Sequence, residues 1–214
     1  ILDDCAARVA LVTRALAELP AFAAHPPLVC GERLAEFVPH APAEGGALAE
    51  AARTGAAPLC ERTMVRVRTD DGQSLTALNE VMIGQPGHQS ARYTLDVDGR
   101  SERQSSSGVI VGTGTGATGW CSSIARVQSP RLALPAPTDR GLAGFVREPW
   151  PSPSTGADLL AGLLHGDAVQ LRVESDQLVA FGDGMEDDRL TLSWGQRVRI
   201  EVADRTPRTV RSVR

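Results

Sequence analysis

The period of apolar and polar positions changes near residue 60. Before that point Val9, Leu11, Val12, Leu16 and Leu19 form a stripe at helical spacing, which predicts a helix over 2–19 ended by Pro20. A loop rich in Pro and Ala follows, and 46–53 is predicted as a second short helix stopped by Thr54-Gly55. Beyond it the period falls to two. Val65 and Val67 alternate with Arg66 and Arg68 across 63–69, Asp70-Asp71-Gly72 marks a hairpin turn, and 74–83 is predicted as the returning strand. Alternation recurs over 91–97, turns at Asp98-Gly99 and returns over 100–104, while 109–111 is short and wholly apolar. Further strands are predicted at 168–173, 178–181, 189–192 and 197–202. Residues 130–153 hold six of the 14 Pro and are predicted as a long surface loop. The fold class expected is α+β overall. Residues 60–214 form a β-rich domain of antiparallel sheets, and residues 1–59 are a helical part of a neighbouring α/β domain or its connector.

Composition narrows the function classes. Hydrophobic residues are 42% of the 214, enough for a sizeable core, and charged residues are 22% with a net charge of −4. Nothing in that balance suggests a nucleic-acid arm or a polybasic membrane patch. No run of about 18 apolar residues is present to span a bilayer. The chain starts at Ile1 without Met and without the positive flank of a signal peptide, so it is expected to be a piece of a longer cytoplasmic protein. All 22 basic residues are Arg. A Walker phosphate loop and a Schiff-base enzyme both need Lys, so both are excluded for this stretch of chain. Cys5, Cys30, Cys60 and Cys121 make no C-x-x-C pair and are expected to be small thiols in a reducing compartment. His25, His40, His88 and His165 are dispersed, and no structural zinc is expected.

Two segments carry candidate chemistry. In 108–120 an apolar strand runs into alternating Gly and Thr and then a helix start. Gly permits close backbone approach, and Thr hydroxyls with freed N–H groups can meet phosphate or ribose oxygens. The same pattern also suits a plain strand-to-helix turn. About thirty residues earlier, Asn79 and Glu80 interrupt the apolar run 77–83, which in one strand would place them on opposite faces. A site, a bulge or a solvated edge would each account for two polar residues there. Gly182-Asp183-Gly184 reads as a turn between strands.

Together these segments resemble the NAD kinase family. Its second domain carries Leu-Asn-Glu followed by apolar residues, here Leu78-Asn79-Glu80-Val81-Met82-Ile83. It then carries a Gly-Leu-Ile-Val strand and a Ser-Thr-Pro-Thr-Gly-Ser-Thr-Ala-Tyr loop, here Gly108-Val109-Ile110-Val111 and Gly112-Thr113-Gly114-Thr115-Gly116-Ala117-Thr118-Gly119-Trp120. The closing Asp183-Gly184 turn and the strand after Trp194 are also similar. The likeness covers about residues 60–214, and the segments 89–92 and 104–108 resemble a divergent branch described as ATP-NAD kinase-like or predicted sugar kinase.

The resemblance implies an ATP-dependent kinase, with Mg²⁺ carried on ATP, that phosphorylates the 2′-hydroxyl of the adenosine ribose of NAD to give NADP. It implies that Asn79 and Glu80 hold the adenosine and ribose, and that Thr113, Thr115, Gly116, Ala117 and Thr118 line the dinucleotide. Trp120 stands where the family has Tyr and keeps a ring for stacking. Ser107 stands where the family has Asp, which removes a charge from the nicotinamide end, and Gly114 replaces a Pro. The family's Gly-Gly-Asp-Gly loop, which grips ATP, has no counterpart in residues 1–78, so no catalytic carboxylate is named and this stretch alone is expected to be inactive. As a ligand-facing residue, Glu80 is expected to matter to binding and little to stability. Partners expected are NAD, ATP and further copies of the chain in a homodimer or homotetramer, with no nucleic acid and no membrane. The rivals are a sugar, nucleoside or lipid kinase of the same superfamily and a non-catalytic dinucleotide-binding module.

Overall fold

Alternation in the sequence becomes two facing sheets in the computed structural model, which describes residues 59–164 and 168–210 together with 47, 50, 51 and 53–57. The helix predicted over 2–19 lies outside the described residues. Ala47, Glu50, Ala51 and Arg53 are helical, followed by a turn at Thr54-Gly55, as the second predicted helix requires. The strands run in the order Leu59–Glu61 (β1), Val65–Thr69 (β2), Ser74–Ala77 (β3), Glu80–Gly84 (β4), Ala91–Val97 (β5), Arg100–Ser106 (β6) and Gly108–Gly112 (β7). Helix α1, Trp120–Gln128, follows, and then Leu142–Arg147 (β8), Ala161–Leu164 (β9), Val169–Val173 (β10), Gln177–Gly182 (β11), Leu190–Ser193 (β12), Arg197–Val202 (β13) and Arg208–Val210 (β14).

Two compact units result. Thr63–Thr206 forms one, and Ile1–Arg62 with Pro207–Arg214 forms the other, where β1 and β14 pair. The larger unit holds two six-stranded antiparallel sheets, ordered β3-β2-β13-β10-β5-β6 and β12-β11-β4-β7-β8-β9. The first shows the expected alternation: Val65, Val67, Leu171, Val198 and Ile200 are buried while their polar neighbours face outward. The central strands of the second, β4, β7 and β8, carry nearly unbroken apolar runs, because both of their faces are covered. Val81, Ile83, Val109 and Val111 pack in the core shared by the sheets. Met82, Ile110, Ala143 and Phe145 pack on the other face against Cys121 and Ala125 of α1. Inside the first sheet the fully buried Tyr93 bonds its hydroxyl to Ser106 Oγ at 2.7 Å and to Gln104 Oε1 at 3.2 Å.

Three expectations are corrected. The loop predicted over 130–153 contains β8, a strand flanked by β7 and β9. Its sequence, Leu-Ala-Gly-Phe-Val-Arg, has no alternation because both faces are covered, and the Pro residues that suggested a loop lie outside it. Strand β9 was not predicted at all. The single strand predicted over 74–83 is two strands: β3 belongs to the first sheet and β4 to the second, with the chain breaking at Leu78-Asn79.

Candidate functional site

The break at Leu78-Asn79 takes four backbone groups out of any ladder, and each needs a partner. Leu78 N–H donates to Asp183 Oδ2 at 2.9 Å and Asn79 N–H to Asp183 Oδ1 at 2.6 Å. Leu78 C=O accepts the Thr113 hydroxyl at 2.6 Å, and Asn79 C=O accepts Thr113 N–H at 2.8 Å. Asp183 N–H returns to Glu80 C=O at 3.0 Å. The elbow is thus closed from one side by a carboxylate and from the other by the first Thr of the Gly/Thr loop. Asp183 itself sits at φ 53 and Gly184 at φ 72. The left-handed region costs a non-Gly residue about 1–2 kcal/mol, which three hydrogen bonds offset.

Strand pairing brings the loop to the elbow. Glu80 lies opposite Gly112 in the β4–β7 ladder. The Gly residues of the loop are there for room, since none of Gly112, Gly114 and Gly116 has positive φ. A Cβ on Gly116 would stand 2.3 Å from Asn79 O and 2.9 Å from Glu80 Oε2. One on Gly112 would meet Cys121 Sγ at 2.3 Å, and one on Gly114 would meet Ala136 O at 2.0 Å. Only hydrogen fits at these contacts.

The Thr residues divide by what their hydroxyls do. Thr113 Oγ1, beyond its bond to Leu78, accepts the N–H of Thr115 at 3.0 Å and of Gly116 at 3.3 Å. Thr118 Oγ1 donates to Thr115 C=O at 2.9 Å, closing the short turn Gly116–Thr118 that precedes α1, and Ala117 N–H donates to Thr113 C=O. Thr115 is 3% exposed, and its hydroxyl has no hydrogen-bond partner. A buried, unsatisfied hydroxyl costs about 1–3 kcal/mol, so this one is held in place by the packing around it.

Glu80 is 9% exposed and points to the same face of β4 as Met82, toward α1. Burial first, and the Asp183 charge second, push its carboxyl up from the ordinary 4.5 to about 7. Burial also pushes Asp183 up, against the amides of Leu78 and Asn79 that pull it down. The Cys121 thiol is pushed up to about 12 by burial and by Glu80, so it is a neutral packing group. Val81, Met82 and Ile83 each gain about 1.5–3 kcal/mol from burial, which is how β4 can hold a carboxyl that burial disfavours. The expectation that Glu80, as a ligand-facing residue, matters little to stability meets a side chain that is almost fully buried.

Ser107 and Trp120 stand further along this face. They line a cavity of about 450 Å³ with His88, Arg147 and Arg189, and Met82 and Phe181 are also in its lining. The Arg147 guanidinium lies 5.5 Å from the centre of the Trp120 ring, and Ser107 N–H donates to Arg147 C=O at 2.9 Å. The structure thus brings Asn79, Glu80, Thr113, Thr115 and Gly116 together at the elbow and puts Ser107 and Trp120 in a cavity that none of those five lines. Sequence reasoning took Asp183 for a turn residue only. A Gly-Asp-Gly string signals a turn, and no local signal reveals that the carboxylate closes on amides over a hundred positions earlier.

Two antiparallel sheets, with a Gly/Thr loop joining β7 to a helix on the outer face, define an NAD kinase-like fold. A crystal structure of yeast NADH kinase complexed with NADH superposes with a TM-score of 0.66 at 14% identity, over 83% of this chain and 51% of that one. The chain therefore spans about half the length of that kinase, and the likeness is one of fold. No protein-family model matches the sequence, and no curated protein matches it. Among the described residues no helix is long and apolar enough to cross a membrane.

Proposed function

We propose that this chain contributes the dinucleotide-binding domain of a cytoplasmic phosphotransferase that uses ATP to phosphorylate the 2′-hydroxyl of the adenosine ribose of NAD, giving NADP. Residues 60–214 are the NAD-binding domain in this reading, and 1–59 belong to an adjoining α/β domain or its connector. The observation that carries it is the Asn79-Glu80 elbow, set against Gly112–Gly116 by the β4–β7 ladder, in a fold shared with an NADH kinase. A carboxylate accepts from both hydroxyls of a ribose, and among the described residues no hydrogen bond compensates the burial of Glu80. The Thr115 hydroxyl is a second group with unused bonding capacity. Asn79 holds the adenosine side, and Trp120 offers a ring in the cavity beyond.

Mg²⁺ enters this scheme with ATP. Among the described residues no three His, Cys, Asp or Glu converge to hold an ion themselves, and this reading assigns the residues that grip ATP and orient the hydroxyl to the adjoining domain. Assembly is through the β domain as a homodimer or homotetramer. Strands β3, β6, β12 and β9 end the two sheets and each leaves an edge for pairing. Titration of the protein with NADH and NAD by calorimetry tests the reading. Saturable binding of both at one competing site is expected, and failure of both to bind removes it.

A further inference from the structure

Asp183 comes from the turn after β11, on a different hairpin from the elbow it closes. Its two carboxylate oxygens each take one backbone amide, Leu78 at 2.9 Å and Asn79 at 2.6 Å, and its own amide holds Glu80 C=O at 3.0 Å. Three consecutive residues are thereby fixed by one side chain and its backbone. The carboxylate lies where the chain leaves the first sheet for the second, and no ladder bond fixes the direction of Asn79 there. We propose that Asp183 is the positioning residue of the candidate site, whose carboxylate sets the elbow that presents Asn79 and Glu80 to the Gly112–Gly116 loop. This rests on the reading of that site as a ligand site, and it adds a residue to which the sequence assigned only a turn.

Physical reasons favour a carboxylate over other side chains at this position. Two adjacent N–H donors converge on it, and only Asp or Glu offers two acceptor oxygens with no donor of its own. Asn would turn an NH₂ toward one of the amides. Bonds donated to a charged acceptor are also about twice as strong as neutral ones. The same charge acts on Glu80, so the groups that face that carboxyl are Asp183 from the β11–β12 turn and Cys121 from α1. Removing the Asp183 charge frees Glu80 of one of the two influences that hold it protonated.

The test compares the wild-type protein with Asp183→Asn and with Asp187→Asn, an exposed acid of the next turn, as control. The Glu80 carboxyl is followed by ¹³C NMR from pH 4.5 to 8.5, its signal identified by loss in Glu80→Gln, and amide hydrogen exchange is read at Leu78 and Asn79. Asp183→Asn is expected to lower the Glu80 midpoint, to speed exchange at both amides and to weaken NADH binding about tenfold, the scale of one charged hydrogen bond. Asp187→Asn is expected to change none of these. An unmoved midpoint, unchanged exchange, or NADH affinity equal to wild type each overturns the proposal. Should Asp183→Asn not fold, Asp183→Ser takes its place and is judged on the same three readings. If wild-type protein binds neither NADH nor NAD, the functional reading falls, and the midpoint and exchange alone decide the role of Asp183.

Discussion

Glu80 and Asp183 are two carboxyl groups joined through the backbone: Asp183 N–H donates to Glu80 C=O at 3.0 Å, while the Asp183 charge helps to hold the Glu80 carboxyl at about 7. One of the pair is committed to the amides of Leu78 and Asn79, and the other has no side-chain hydrogen bond among the described residues to offset its burial. The division of labour leaves a titrating group near neutral pH at the meeting point of two loops.

The raised Glu80 carboxyl makes stability depend on pH in a stated direction. Folded protein keeps a proton that the unfolded chain releases above 4.5, so stability falls as pH rises from about 4.5 to about 7 and levels off above. The gap corresponds to roughly 3 kcal/mol. Glu80→Gln, which mimics the protonated form, is expected to match wild type at pH 4 and to be more stable at pH 8. Urea unfolding at both values measures the difference, and equal stability at pH 8 refutes the burial argument.

Ligand affinity should carry the opposite sign. Ribose hydroxyls donate to an ionised carboxylate, so NADH binding to wild-type protein is expected to tighten between pH 6 and 8. In Glu80→Gln it is expected to be flat across that range and, at pH 8, weaker by about 1.5–3 kcal/mol. Fluorescence titration with NADH at four pH values reads both quantities. The variant that gains stability thus loses affinity, which an exposed strand residue would not do.

Glycine is required at 116 for space. Gly116→Ala places a methyl against Asn79 O, a backbone atom that cannot turn aside, and is expected to cost about 1–3 kcal/mol and to weaken NADH binding. Gly162→Ala in β9 meets nothing within 4 Å and is expected to be neutral or slightly stabilising. Thermal melting of the two variants side by side separates a packing requirement from a general sensitivity to Ala.

Tyr93→Phe removes a hydroxyl that Ser106 and Gln104 share deep in the first sheet. About 1 kcal/mol of stability is expected to go with it, the net worth of a buried hydrogen bond. Because Tyr93 lies in the other sheet from the elbow, NADH affinity should not change, which makes this variant a control for effects transmitted through stability alone.

Strands with one solvated face were legible in the sequence, because alternation of period two directly records which side chains enter the core. The 91–97 and 197–202 strands match β5 and β13, and Asp98-Gly99 is the tight turn expected, with φ of 49 and 74. The Asn79-Glu80 pair and the Gly/Thr loop stood out for the same reason: polar or side-chain-free residues in apolar runs need a purpose. Residues 142–147 hid among Pro because a strand covered on both faces has no alternation to show. The jump of the chain between sheets at Leu78-Asn79 was equally invisible, since 74–83 has the same local pattern whether it is one strand or two. At that break the Asp183 carboxylate meets both amides and Thr113 meets both carbonyls, contacts that require β11 and β7 to pair with β4. Pattern records what each residue prefers nearby; the protonation of Glu80, the unpaired Thr115 hydroxyl and the role of Asp183 arise from contacts over 35 to 105 positions, which exist only once both sheets have closed.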